Sequence, residues 1–248
     1  MTLPAAFLDR PFAHRALHGP GRPENSLDAV RAAVEAGYGI EIDVQLSADA
    51  QAVVFHDYDL RRLTAESGPV RQRNRDDLRS ISLTGGSGGI PDLQQVLAVV
   101  AGRVPLLIEI KDQDGQMGDD VGPLEEATAA ALQGYDGPVA VMSFNPHSVA
   151  SLADLCPGVP RGITTSAYAA ADWPLLPAAT REHLARIEAV DDLGASFISH
   201  AHTDLGSERV QELKRQGLTI LCWTIRSPSE AAKALRIADN ITFEGYLP

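Results

Sequence analysis

The amino-acid sequence predicts an α/β fold: a closed (β/α)8 barrel in a single domain over residues 1–248, with a small insertion at about 58–89 after an extra β-hairpin. Three observations lead there. Strand-like and helix-like runs alternate along the chain, the mark of parallel strands joined by helical crossovers. Eight of these runs read as parallel strands, the number that closes a barrel. Carboxylates and histidines stand at the strand ends, where a barrel of this kind carries its site.

Pro11 to His14 is a short apolar run ending in His14-Arg15 and reads as the first strand. A loop rich in Gly and Pro leads through Arg22-Pro23-Glu24-Asn25 to a helix that Asn25 or Ser26 can cap. Leu27, Val30, Ala33 and Val34 form its apolar stripe and Gly37 ends it. Glu24 and Asn25 are assigned to ordering this loop and capping its helix rather than to ligating metal. From Gly39 the chain alternates strictly, with Ile40, Ile42 and Val44 on one face and Glu41, Asp43 and Gln45 on the other, which is a strand. Only Ser47 to Ala50 separate it from the apolar run Ala52 to Phe55, too few residues for a parallel crossover, so the two runs form a hairpin. The return strand brings His56 and Asp57 back beside Glu41 and Asp43. Tyr58 to Gly89 then reads as a polar, irregular excursion over one mouth of the fold, carrying five arginines between Arg61 and Arg75. Its run Gly85-Gly86-Ser87-Gly88-Gly89 lacks the Gly-Lys-Ser/Thr ending of a phosphate loop and reads as flexible linker.

Order resumes at Pro91-Asp92, a helix start followed by Leu93, Val96, Leu97 and Val100 at helical spacing. In the strand from Val104 to Lys111, Leu107, Glu109 and Lys111 share one face and Leu106, Ile108 and Ile110 the other. Strands over Val139 to Ser143, Arg161 to Thr164, Ser196 to His200, Thr219 to Ile225 and Ile241 to Glu244 complete the eight. Helices over His147 to Leu155, around Arg181 to Val190, Glu208 to Gln216 and Ser229 to Ile237 lie between them.

Composition narrows the partners. Against 33 Asp and Glu stand 21 Lys and Arg, a net charge of −12 that argues against nucleic acid or an anionic membrane as the main partner. A small anionic substrate fits if a metal supplies local positive charge. Cys156 and Cys222 lie far apart and outside any Cys-x-x-Cys spacing, and read as buried thiols in a reducing compartment. The first residues lack a basic segment followed by an apolar one, and no apolar run approaches about 18 residues, which predicts a cytoplasmic protein with no stable membrane anchor.

In a barrel, Ile40, Ile42, Ile108 and Ile110 face the helices, which turns Glu41, Asp43 and Glu109 inward. Three unpaired buried carboxylates would each cost several kcal/mol, so the pattern calls for a cation. All the donors are oxygens, with no Cys and no paired His among them, which favours one divalent metal ion, Mg2+ or Ca2+, over Zn2+. The bland alternative is a solvated strand face with Glu109 paired only to Lys111; it leaves the convergence of three carboxylates without a reason. His14 and His56 end strands beside this cluster, where imidazole suits proton transfer near neutral pH. Arg15 and Lys111 add the cations that let an anion such as a phosphoryl group bind. Phe144 and Trp223 end further strands and are placed to wall the alcohol portion of a substrate, although aromatic residues there are as often core. His200-Ala201-His202 has no carboxylate in the same motif and is assigned a surface or supporting role rather than a second metal.

The set His14-Arg15, Pro23-Glu24-Asn25-Ser26, Glu41-Ile42-Asp43-Val44, Val53-Val54-Phe55-His56-Asp57, Leu107-Ile108-Glu109-Ile110-Lys111 and Trp223-Thr224-Ile225 resembles the glycerophosphodiester phosphodiesterase family in order and spacing. The resemblance covers nearly the whole chain and is strongest from residue 13 to residue 111. It implies a TIM barrel with its insertion after the hairpin, metal ligands at Glu41, Asp43 and Glu109, catalytic histidines at His14 and His56, and phosphate-contacting cations at Arg15 and Lys111. It also implies hydrolysis of glycerophosphodiesters to sn-glycerol 3-phosphate and an alcohol. One histidine would deprotonate water or the substrate's own glycerol hydroxyl and the other would protonate the leaving alkoxide; His14 is assigned as base and His56 as acid. Two departures stand near the expected pocket. Ala16-Leu17-His18 intervene before Gly19, where the family usually has Gly directly after His-Arg, and Phe243-Glu244 stands where the family often has Thr-Asp. Two rivals are a phospholipase-D-like or lysophospholipid phosphodiesterase, which the arginine-rich excursion argues against, and a non-catalytic barrel that binds phosphorylated metabolites, which the two histidines argue against.

Overall fold

The computed structural model describes residues 2–248, and among them eight parallel strands close a barrel against which a ninth strand lies. In chain order the strands are β1 (Phe12–Ala13), β2 (Gly39–Leu46), β3 (Ala52–Val54), β4 (Leu106–Ile110), β5 (Val139–Ser143), β6 (Arg161–Thr165), β7 (Phe197–Ala201), β8 (Thr219–Ile225) and β9 (Asn240–Phe243). The barrel runs β1, β2, β4, β5, β6, β7, β8, β9 and returns to β1. The extra strand β3 lies antiparallel to β2 in the register Val44↔Val54, Gln45↔Val53 and Leu46↔Ala52. Its place follows from strand length. Because β1 meets β2 only at Gly39 and Ile40, the far end of that edge is left for β3, whose pairing supplies the ladder bonds the edge needs.

The α-helices are α1 (Ala6–Asp9), α2 (Leu27–Ala36), α3 (Arg75–Ser80), α4 (Leu93–Val100), α5 (Pro123–Leu132), α6 (Pro146–Leu155), α7 (Ala178–Ala185), α8 (Ala189–Asp192), α9 (Glu208–Arg215) and α10 (Pro228–Ala234). Their caps agree with the sequence where a cap is local. Ser26 Oγ accepts from Ala29 N at the start of α2, Asp92 and Gln95 form a reciprocal capping box on α4, and Gly37 ends α2 at φ 74°. Three helical assignments change. The sequence gives no sign of α5, whose alanine-rich face offers little apolar contrast. The single helix expected around Arg181 to Val190 is two, α7 and α8, interrupted where Ile187 turns to φ 49°. Residues 58–89 are also not irregular: they hold two 3-10 turns and α3, and Leu60, Val70, Leu78, Ile81 and Leu83 pack on Val53 and Phe55 as an apolar cluster of their own. Its glycine run is a packed turn rather than a linker, since a Cβ on Gly89 would enter the backbone of Arg79 and one on Gly86 would come within 2.6 Å of Pro23.

The barrel has two apolar layers. Ile40, Ile42, Leu106, Ile108 and Ile110 point outward onto Val30, Ala33, Val96 and Val100 of the helices, as the alternation predicts. Inside, Phe7, Phe12, Leu107, Ala140, Met142, Phe197 and Leu221 fill the end where the strands begin. Two of those rings need glycine partners. A Cβ on Gly39 would stand 2.9 Å from the Phe12 ring, and one on Gly162 would run into Phe197. With this end plugged, the cavity opens at the C-terminal ends of the strands. Both cysteines are free, Cys222 buried as expected and Cys156 only half-buried. No helix among the described residues is long and apolar enough to cross a membrane.

Candidate active site

Parallel register sets Asp43 of β2 directly beside Glu109 of β4, and Glu41 lies one inward position earlier on β2. The three carboxylates bring one oxygen each to within 4.8 Å of one another, and all three residues are buried. The loop after β1 folds onto them. Arg15 and Ala16 take φ 51° and 65°, a left-handed turn that aims Arg15 N at Glu41 Oε2 (2.8 Å) and Ala16 N at the Glu41 carbonyl (2.9 Å). Asn25, at φ 57°, is the third such residue here. Left-handed backbone costs an L-residue roughly 1–2 kcal/mol, and at these positions it is spent on holding carboxylates. Asn25 donates from Nδ2 to Asp43 Oδ2 (3.0 Å) and accepts from Asp43 N (3.3 Å), so its fully buried side chain orders Asp43, and the capping of α2 falls to Ser26 alone.

The cluster is short of positive charge. Lys111 donates to Glu109 Oε1 (2.7 Å) and lies 3.4 Å from Asp43 Oδ1, while Arg15 reaches Glu24 (2.8 Å) and stands 3.6 Å from Asp43 Oδ2. Burial works to raise Asp43, but Lys111, His56, Arg15 and the Asn25 amide hold it well below the usual carboxylate range. Glu41 goes the other way: burial first, then Asp43 and Glu109, push its carboxyl well above the ordinary value. Two cations serve three buried carboxylates, and Glu41 is the one left uncompensated. Oxygen donors alone, gathered and under-neutralised, fit a hard divalent cation.

Each of the two histidines is held from behind. His14 Nδ1 stands 3.1 Å from Glu244 Oε2, and His56 Nδ1 stands 2.7 Å from Asp57 Oδ1. A carboxylate only accepts, so both Nδ1 atoms carry protons and Nε2 is the free nitrogen of each ring. Behind each carboxylate lies an arginine: Arg226 donates to Glu244 (2.9 Å), and Arg62 donates to Asp57 (3.0 Å) and to both oxygens of Glu24. The hydrogen bond from His14, against some burial and with Arg226 and His18 assisting, holds Glu244 down at about 2. Asp57 is likewise held well down, because the His56 and Arg62 bonds outweigh its burial.

A cavity of about 1040 Å3 opens over these groups, and His14, Arg15, Glu41, Asp43, His56, Glu109, Lys111, Phe144 and Trp223 all line it. Its opposite wall is aromatic. Phe144 lies 5.6 Å from Trp223 and 5.0 Å from Trp173, ring centre to ring centre, and Met117 lines the same cavity. Sequence reasoning missed Trp173, because it sits in the loop after β6 where no periodicity marks it. It also missed Arg62 as the tie between Glu24 and Asp57, a contact across 38 residues. The paired histidines at the end of β7 divide. His200 is buried between Thr165 (2.8 Å) and Asp204 (3.1 Å), a carboxylate four residues beyond it; His202 lines the cavity, with Nδ1 donating to the Trp223 carbonyl at 3.3 Å.

Comparison with known proteins gives a consistent result. The glycerophosphoryl diester phosphodiesterase family matches residues 14–240. The chain is 29% identical over 231 residues to YhdW of Bacillus subtilis, covering 90% of this chain and 88% of that one. It is 25% identical over 225 residues to the glycerophosphodiester phosphodiesterase of Caldanaerobacter subterraneus, covering 86% and 85%. Among solved structures, an Oleispira antarctica phosphodiesterase in complex with its product sn-glycerol-3-phosphate superposes with a TM-score of 0.79 at 26% identity, over 96% of this chain and 94% of that one. With a match across nearly the whole barrel, the chain belongs to the glycerophosphoryl diester phosphodiesterase family.

Proposed function

We propose that the chain, as one barrel domain with its insertion at 58–89, hydrolyses glycerophosphodiesters to sn-glycerol 3-phosphate and an alcohol, in a cytoplasmic setting. The observation that carries this reading is that one cavity brings together His14 and His56, the clustered carboxylates Glu41, Asp43 and Glu109, and the cations Arg15 and Lys111. Glu41, Asp43 and Glu109 would hold one divalent ion, Mg2+ or Ca2+. When bound, that ion supplies the missing positive charge and polarises a phosphoryl oxygen. Arg15 and Lys111 donate to the remaining phosphoryl oxygens and neutralise charge that builds as the phosphorus is attacked. His14, neutral and with its Nε2 lone pair free, removes the proton of the attacking water or glycerol hydroxyl. The new O–P bond forms as the P–O bond to the alcohol breaks, and His56 in its protonated form delivers a proton from Nε2 to the departing alkoxide. Where the glycerol hydroxyl attacks, water then opens the cyclic product with the two histidines in exchanged roles. Phe144 and Trp223 flank the alcohol and keep bulk water from it.

One observation favours a second reading of the substrate. Leu175, two residues along the chain from the cavity-lining Trp173, is 92% exposed, an unburied apolar side chain that suits a lysophospholipid. A single panel separates the two. Purified protein is assayed against water-soluble glycerophosphodiesters and lysophospholipids after exhaustive chelation and again with Mg2+ or Ca2+ restored. The expected result is turnover of the soluble diesters that vanishes on chelation, with a rise in melting temperature when the ion returns. Full activity without metal would remove the metal from the reading, and no turnover of any diester would remove the activity.

A further inference from the structure

We propose that Glu244 is the positioning residue of His14, gripping its Nδ1 from behind the cavity so that Nε2 is the nitrogen presented to substrate, and that Arg226 and His18 hold Glu244 in turn. The inference rests on the reading of His14 as an acid-base residue. Glu244 does not itself line the cavity; its carboxylate meets His14 at 3.1 Å from the far side. Backbone fixes both partners. His14 N donates to the Phe243 carbonyl (2.9 Å) and Glu244 N to the Ile225 carbonyl (2.9 Å), so the ends of β1, β8 and β9 set the pair in place before any side chain chooses a rotamer. The carboxylate is then divided between its oxygens. Oε2 takes His14 and Arg226 (2.9 Å), and Oε1 faces His18 Nε2 at 3.6 Å, a buried nitrogen with no hydrogen-bond partner.

The loop Ala16-Leu17-His18 and the pair Phe243-Glu244, read in the sequence as departures from the family it resembles, meet in the fold through His18 and Glu244. The longer first loop delivers His18, and the glutamate, one methylene longer than aspartate, reaches both rings. On the other side of the cavity the same order of histidine, carboxylate and arginine recurs as His56, Asp57 and Arg62, but there the carboxylate is the next residue in the chain. At His14 the arrangement is assembled from three distant segments. Nothing local holds that ring, and Glu244 is the only carboxylate bonded to it among the described residues.

The test uses the whole protein with Mg2+ present, glycerophosphocholine as the probe, and histidine labelled with 15N. His14 in the wild type should titrate from a neutral form protonated at Nδ1, and Glu244→Ala should move it toward the Nε2-protonated form. Turnover in Glu244→Ala should fall by about 10- to 100-fold with KM unchanged, less than the roughly 10²–10⁴-fold expected for loss of the histidine itself. Glu244→Gln keeps an acceptor and removes the charge. With the Glu244 charge gone, Arg15, Arg226 and His18 remain around His14, with Glu41 and Glu24 beyond them as the partners of Arg15, so the acid limb of kcat/KM should move to lower pH while most turnover survives. Glu244→Asp should recover part of what Glu244→Ala loses. A wild-type His14 protonated at Nε2 when neutral, or an acid limb and turnover unchanged in both Glu244→Ala and Glu244→Gln, would overturn the proposal. Should Glu244→Ala fail to fold, the isosteric Glu244→Gln decides by its pH profile. Should the wild type turn over no glycerophosphodiester, the reading of the site falls, and the tautomer of His14 still decides whether Glu244 positions it.

Discussion

At the scale of residues, His14 and His56 line the cavity in nearly matched surroundings, and the proposed chemistry asks them to do opposite things. Each is tied at Nδ1 to a carboxylate and each carboxylate to an arginine, so the hydrogen bonds alone do not name base and acid. The leaving group can. If His56 is the acid, His56→Ala should lose about 10²–10⁴-fold on an alkyl diester and far less on a nitrophenyl diester, whose leaving group departs without a proton. His14→Ala should lose a similar factor on both, because the nucleophile still needs its base. Steady-state kinetics of the two variants on the two substrates measures this, and the reverse pattern exchanges the roles. The candidate ligands were legible because period-2 alternation fixes which side chains share a face: Glu41, Asp43 and Glu109 emerge inward from sequence alone. Asn25 was visible but misread. An Asn before a helix is a cap by habit, and only the left-handed backbone at that position turns its amide away from the helix and onto Asp43.

At the scale of elements, strands and their faces were read correctly because each depends on its own few residues. What failed depends on distant packing. The run Gly85 to Gly89 has the composition of a linker, yet its glycines are there because neighbouring backbone leaves no room for a Cβ. Gly89→Ala should therefore destabilise the protein by about 1–3 kcal/mol through forced displacement of residues 79–81. Gly88→Ala, with open space around it, should be nearly neutral. Thermal unfolding of the two variants makes the comparison, and equal melting temperatures would return the segment to the status of a linker. The division of α7 from α8 also escapes local periodicity, because Arg209 donates to the Arg186 (2.9 Å) and Ile187 (3.1 Å) carbonyls where the helix is interrupted.

At the scale of the whole molecule, two carboxylates tie the last barrel strand and the insertion to the histidines, and both are held below their ordinary range. A depressed carboxylate stabilises the fold at pH values above its unfolded pKa, and that contribution is lost as pH falls toward its folded value. For Glu244 the window runs from 4.5 down to about 2. Melting temperature should drop steeply across that interval, and Glu244→Gln should flatten part of the drop; an identical acid profile in the variant would show that the carboxylate contributes no stability. The barrel itself was legible from eight strands and their alternation, and its seam lies at the short first strand, read from Pro11 to His14 and found at Phe12–Ala13. That seam bears on how the protein is made. Phe12 pairs with Thr242 and Ala13 with Phe243, so the first strand meets one of its two neighbours only when the last has left the ribosome. At about 5–20 residues per second, that wait is on the order of tens of seconds. The plug around Phe12 and the carboxylate behind His14 thus fall into place only after β9 has emerged, and a nascent chain stalled short of β9 should be both unclosed and inactive.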